Sequence, residues 1–205
     1  MSPGVAHSAL GPAHQSIEDI AWLRALDNMI IVVPADLVET AAAMRWAAAT
    51  EGPAFIRVSR MAFHHFYPDD YAFVPGRSIT VRDGDDVTII SNGTVLWRSL
   101  AAAEILVAEG VSAWVISMPT VKPLDVEAVV KAAKETAGIV TAEESTKAGG
   151  LGGAVAETVV AHHPTRVTIL GFDEFLPTGS AGFLLDRYGM SPEGIANSAR
   201  RLLTP

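Results

Sequence analysis

Apolar positions along this chain gather into short runs, and between them lie segments with helical spacing. Residues 29–33 (MIIVV) form a continuous apolar run that ends at Pro34, as a strand buried on both faces reads. Asp36 stands where it caps a helix carrying Leu37, Ala41, Met44 and Ala48 on one face, and Gly52-Pro53 stops that helix. Residues 54–59 (AFIRVS) are the next strand. From Met61 to Asp86 the pattern breaks. His64, His65, Phe66, Tyr67, Pro68, Asp69, Asp70 and Tyr71 are followed by Pro75-Gly76, a turn-rich stretch that reads as an inter-domain linker.

Beyond Asp85-Asp86 the alternation resumes. A strand at 87–90 leads through the turn Asn92-Gly93-Thr94 into a helix with Leu96, Leu100, Ala103 and Val107 on one face, ending at Gly110. Strands follow at 113–117, 138–141 and 167–170. Asp125 caps a helix to about Thr136, the glycines of 149–153 open another to about His162, and Ser191 caps a last one with Pro192 at its first position. Strands alternating with helices predict an α/β protein with mostly parallel sheets. The first unit is too small to close a sheet covered on both faces. It reads as the second half of a domain whose first half is not in this chain, and an apolar face is expected near 29–33 and 54–58. The predicted organisation is a partial domain over 1–66, a linker over 67–84 and a smaller α/β domain over 85–205.

Composition adds exclusions. The 205 residues suffice for one large domain or two small ones, and 49% hydrophobic with 19% charged residues is ordinary for a globular chain. A net charge of -8 argues against non-specific binding of nucleic acid or of an anionic membrane. With no cysteine there are no disulfides or thiolate metal sites. There is neither a signal-peptide pattern nor a run of ~18 apolar residues, so a cytoplasmic protein is expected.

The candidate chemistry centres on Gly11-Pro12-Ala13-His14-Gln15-Ser16-Ile17-Glu18-Asp19. A Gly-Pro turn presents His14. A helix is predicted to start at Ser16, answered by Asp19 much as in a capping box. A side chain at such a junction suits an anionic or oxygen-rich ligand, because free backbone N–H groups point the same way. His14 reads equally as a surface histidine in a loop, and His7 lies near it. Arg60 ends the strand 54–59, where ligands meet parallel sheets, and its planar fork suits a phosphate or carboxylate; a surface ion pair is the equal alternative. His64-His65 lack a third ligand at metal spacing, and no metal site is predicted. The glycines of 149–153 lack the Lys-Ser/Thr of a phosphate loop and read as tight helix–strand packing. Glu143-Glu144, placed just after a strand ending at Thr141, suit acid/base work or, by preference, a structural role. No Gly-x-Ser-x-Gly elbow exists.

The run from Gly11 through Ala21, with Leu23-Arg24-Ala25-Leu26, Val33-Pro34-Ala35-Asp36, Glu39-Thr40, Gly52-Pro53 and Ser59-Arg60, resembles the later half of the pyrimidine-binding domain of the transketolase family. Ser117-Met118-Pro119, Lys122-Pro123-Leu124-Asp125, Glu143-Glu144 and Gly149-Gly150-Leu151-Gly152 are similar to that family's C-terminal domain, so nearly the whole chain is covered. The pattern is most like the separate C-terminal subunits of split transketolases.

The resemblance implies a two-carbon ketol unit moved between sugar phosphates with thiamine diphosphate and a divalent metal (Mg), both bound mainly by regions absent from this chain. It implies a transketolase N-terminal subunit as partner, a homodimer or heterotetramer, and a chain inactive alone. It gives His14 the role of the histidine facing the donor carbonyl, Arg60 that of the substrate-phosphate arginine and His7 that of a further substrate histidine. No cofactor-activating residue is assignable here. Two positions depart from the family: Ser8-Ala9-Leu10-Gly11-Pro12 replaces Gly-Glu-Asp-Gly-Pro, and Met61 replaces Gln. Leu10 thereby puts the usual sugar specificity in doubt. The alternatives are a non-catalytic dimerisation module, or a subunit of a deoxyxylulose-phosphate synthase or 2-oxoacid dehydrogenase.

Overall fold

The computed structural model describes residues 3–61 and 64–204. Its amino-terminal segment is a closed loop. Gly4 N donates to Ser16 O at 2.7 Å and Ser16 N returns a bond to Gly4 O at 3.2 Å, with two 3-10 turns, Ser8–Leu10 and Pro12–His14, between them. Helix α1 spans Asp19–Arg24, strand β1 Ile30–Val32, helix α2 Leu37–Ala49 and strand β2 Ala54–Ile56. Strands β3 (Ile79–Arg82) and β4 (Val87–Ser91) follow, then helix α3 (Leu96–Ala108), strands β5 (Ala113–Ser117) and β6 (Thr120–Lys122), and helix α4 (Val126–Glu135). Strand β7 (Ile139–Thr146), helix α5 (Leu151–His162), strand β8 (Val167–Phe172) and helices α6 (Ala181–Arg187) and α7 (Pro192–Leu203) complete the chain.

The larger sheet has the order β3-β5-β4-β7-β8, parallel except for the antiparallel edge strand β3. Every residue of β4 and β5 is buried, which is why their sequences read as continuous rather than alternating. Helix caps form as their sequences prescribe. Asp36 accepts from Glu39 N at 2.7 Å, Asp125 from Ala128 N at 3.1 Å and Ser191 from Gly194 N at 3.0 Å, each satisfying an N–H that the helix itself leaves open.

Four expectations change. The helix after His14 starts at Asp19, with no side-chain cap. The Ser16 backbone is engaged by Gly4, and Asp19 turns its carboxylate to Arg57 at 2.9 Å. A buried ion pair and a backbone bridge thus displace the local capping box. The stretch read as linker contains β3, whose Ile79 and Val81 pack against the core while Thr80 is exposed. Third, β7 runs past Thr141 to Thr146, so Glu143-Glu144 lie inside a strand and not after it.

The fourth concerns the incomplete first unit. Strand β1 is flanked on both sides: β2 pairs with it in parallel, and β6, from the far part of the chain, pairs antiparallel through Ile31–Lys122 and Val32–Thr120. Ile31 and Val32 are fully buried as a result. What remains of the expected apolar face is half-buried Met29 and Ile30, half-buried Phe55 and Ile56 on the edge strand β2, and exposed Leu37 and Met44 on α2.

Candidate functional site

The loop that carries His7 and His14 is fastened at several points to later parts of the chain. Gln15, buried, donates through Nε2 to Leu176 O at 2.9 Å and accepts through Oε1 from Leu176 N at 2.8 Å. Gly179 N donates to Ser8 O at 3.2 Å. Between the two 3-10 turns the chain reverses at Gly11 with φ +103°, a conformation open to glycine and rarely to other residues. His14 therefore ends a tight turn with its side chain exposed, while His7 is half-buried on the same loop.

Arg60 lies four residues beyond Ile56, the last residue of β2; it is exposed and makes no side-chain hydrogen bond or ion pair among the described residues. Its guanidinium is available to an anion. Three residues before it, Arg57, which the sequence reading passed over, ties this strand end to the segment where the histidine loop closes. Arg57 Nε donates to Asp19 Oδ2 at 2.9 Å, and its Nη2 donates to Ser16 O at 2.7 Å and to Glu144 O at 3.0 Å. The signal that was available is an arginine inside the otherwise apolar run AFIRVS, since a charge there is buried only with partners.

Glu143 and Glu144 are both buried and turned into the protein. Glu144 Oε1 accepts from Val5 N at 2.6 Å and Oε2 from Thr94 Oγ1 at 2.5 Å. Burial raises its proton affinity, against the opposing pull of the nearby Arg57. Glu143 Oε1 accepts from Gly152 N at 2.9 Å, while its other oxygen has no hydrogen-bond partner among the described residues, and burial pushes the carboxyl up to about 7. Their geometry is structural: one holds the amino-terminal loop and the other the start of α5. The glycines there serve packing, as their sequence suggests. A Cβ on Gly150 would lie 2.3 Å from Glu143 Oε1, and one on Gly152 would lie 2.4 Å from Ile169 Cγ2.

A third buried acid, Glu39, accepts from Ala35 N at 2.7 Å and from Tyr71 Oη at 2.9 Å, and burial raises it to about 7. His64 and His65 diverge: His64 lies against Trp97, with ring centroids 5.0 Å apart, and His65 turns its Nδ1 to Asp36 at 3.9 Å. No cluster of three metal-ligating side chains occurs among the described residues.

Two adjoining clefts lie beside the histidine loop. One, of about 300 Å³, includes Pro12, Ala13, Gln15 and Phe175; the other, of about 360 Å³, includes Phe55, Ile56, Arg57 and Val58. Ser16, Asp19 and Trp22 line both, and Trp22 is 59% exposed between them. The concave surface thus runs from the histidine loop to the strand that leads to Arg60. No helix among the described residues is long and apolar enough to cross a membrane.

Comparison with known proteins supplies the family. The model of the transketolase C-terminal domain matches residues 76–195, and that of the transketolase pyrimidine binding domain matches residues 2–64. The chain is 40% identical over 201 residues to one of the subunits of the apulose-4-phosphate transketolase of Phocaeicola vulgatus, covering 97% of this chain and 64% of that protein. It is 38% identical over 198 residues to 1-deoxy-D-xylulose-5-phosphate synthase of Symbiobacterium thermophilum, covering 94% of this chain and 30% of that one. Among solved structures, a split-gene transketolase described as an inactive beta4 tetramer superposes with a TM-score of 0.89 at 38% identity, covering 94% of this chain and 63% of its own. The chain spans less than two thirds of the length of each of these proteins.

Proposed function

This chain belongs to the transketolase family, and from that premise we propose that it is the C-terminal section of a thiamine-diphosphate-dependent transketolase. Assembled with an N-terminal section, it transfers a two-carbon ketol unit between sugar phosphates. The observation that carries this reading is that His14 and Arg60 are both exposed, on two segments joined by the buried guanidinium of Arg57. His14 donates a hydrogen bond to the donor sugar's carbonyl oxygen and exchanges a proton with it as charge develops there. Arg60 takes the phosphate in a two-point, charge-assisted contact. His7, on the same loop as His14, contacts a further sugar oxygen.

In this reading the cofactor's site lies mainly in the N-terminal section. The buried carboxylates Glu39, Glu143 and Glu144 all accept from the protein's own donors. Thiamine diphosphate and its magnesium are bound mainly outside this chain, so the chain alone is inactive. The edge strand β2, with half-buried Phe55 and Ile56 beside exposed Trp22, is where the N-terminal section docks.

Leu10, 65% exposed near His14, favours a sugar phosphate other than the usual transketolase donor. The test is to mix the chain with a transketolase N-terminal section and measure ketol transfer from a panel of ketose phosphates, with His14→Ala in parallel. Transfer by the mixture alone, lost in the variant, supports the reading. Binding of the partner without transfer from any donor would leave a non-catalytic assembly module.

A further inference from the structure

Arg57 is 6% exposed, and its side chain binds Asp19, Ser16 and Glu144, joining its own strand end to two other parts of the chain. Its Nε binds the Asp19 carboxylate at the start of α1. Its Nη2 binds Ser16 O, where the histidine loop closes, and Glu144 O, inside β7. The other mouth of the same loop is held by the same residue of β7, because Glu144 Oε1 accepts from Val5 N at 2.6 Å. Gly4 and Ser16 lock the two mouths together. Arg57 is itself tied to β1 through its amide, which donates to Val32 O at 2.8 Å, and it stands three residues before Arg60.

We infer that Arg57 is the positioning residue that sets the spacing between His14 and Arg60. The inference rests on the proposed role of those two residues toward a sugar phosphate. A buried ion pair adds little net stability over well-packed apolar residues, because desolvation offsets the attraction. What the guanidinium supplies is direction: a planar fork with fixed N–H vectors meets three acceptors, two in the 16–19 segment and one in β7, whereas an ammonium holds its three donors on one freely rotating atom. The loop's other side-chain ties, Glu144 to Val5 N, Gln15 to Leu176 and Ser145 to Ile17 O, run to β7 and to the segment after β8, whereas Arg57 ties it to the strand end that bears Arg60. A misplacement of about 1 Å between two substrate-binding groups costs orders of magnitude in rate.

Two variants separate geometry from stability. Arg57→Lys keeps the charge opposite Asp19 and loses the fork. The double variant Arg57→Met/Asp19→Leu removes the ion pair altogether, leaving neither charge buried alone. Each is prepared as the isolated chain and read by the imidazole resonances of His7 and His14 and the amide of Ser16, with His162 and His163 at the far end of α5 as internal controls. Each is then mixed with the N-terminal section and assayed. The expected result is that the loop resonances shift or broaden in both variants while the α5 histidines do not, and that KM for the sugar phosphate rises about tenfold or more. A folded variant of either kind with parental loop resonances and parental KM overturns the inference. So does the failure of both to give a dispersed spectrum, which would make Arg57 a requirement of the whole fold. If the parent mixture transfers no ketol unit, the functional reading fails, and the loop resonances still decide the role of Arg57.

Discussion

Gln15 grips the backbone of Leu176 at two points, donating to its carbonyl at 2.9 Å and accepting from its amide at 2.8 Å. The two residues are 161 positions apart, and the bond fastens the turn that ends in His14 to the segment between β8 and α6. Replacing Gln15 by Leu keeps the volume and strands a buried N–H and a buried C=O. The expected loss is about 2–4 kcal/mol of stability, since each stranded group keeps its desolvation cost without a partner. Urea unfolding of the isolated chain checks this, and an unchanged midpoint would show that the clasp is dispensable.

Arg60 tests the site without disturbing the fold. Its side chain is exposed and unpaired among the described residues, so Arg60→Ala is expected to leave stability within about 0.5 kcal/mol of the parent. In the assembled enzyme the loss of a charge-assisted contact is expected to weaken sugar-phosphate use by roughly ten- to a hundredfold, mostly in KM. Steady-state kinetics with the phosphorylated sugar and its unphosphorylated counterpart check the assignment. The variant should lose its preference for the phosphate.

Gly152 and Gly153 are neighbours in the first turn of α5 with opposite tolerance. A Cβ on Gly152 would lie 2.4 Å from Ile169 Cγ2 and 2.8 Å from Thr141 Oγ1, whereas one on Gly153 would find its nearest atom, Arg24 Nη1, at 3.4 Å. Gly152→Ala is expected to destabilise by about 1–3 kcal/mol through overpacking. Gly153→Ala is expected to be neutral or to stabilise by up to about 1 kcal/mol from helix propensity. Thermal unfolding of the two single variants, side by side, decides between packing and any role of the glycines in ligand binding.

Glu143 gives the stability a pH dependence. Burial raises its carboxyl from 4.5 to about 7, so between those values the folded protein keeps a proton that the unfolded chain releases. The raised value stabilises the fold fully below pH 4.5, and that contribution is lost as pH climbs to about 7. Glu143→Gln removes the titration. Its stability relative to the parent is expected to improve between pH 5 and pH 8 by up to about 3 kcal/mol. Denaturant midpoints of both proteins at the two pH values measure the difference. A constant difference would mean that Glu143 is ionised throughout.

The sequence by itself determined the local elements and the family. Apolar runs such as 29–33 and 113–117 marked buried strands, Asp36, Asp125 and Ser191 marked helix starts, and the ordered motifs from Gly11 to Gly152 marked the transketolase pattern. These signals are short-range: an N-cap needs only the residues of its own first turn, and a strand buried on both faces is apolar at every position. Only the tertiary structure decided the pairings between distant segments. It set β6 against β1, turned Asp19 from helix capping to Arg57, placed Glu143 and Glu144 inside β7, and hung the His14 turn on Leu176. Asp19 makes the reason plain. Locally its carboxylate reaches only a backbone N–H, and one oxygen still accepts from Ile20 N at 3.0 Å, but folding buries Arg57 beside it, and the other oxygen takes the charge 38 positions away. No window of sequence contains that partner together with the burial that makes it decisive.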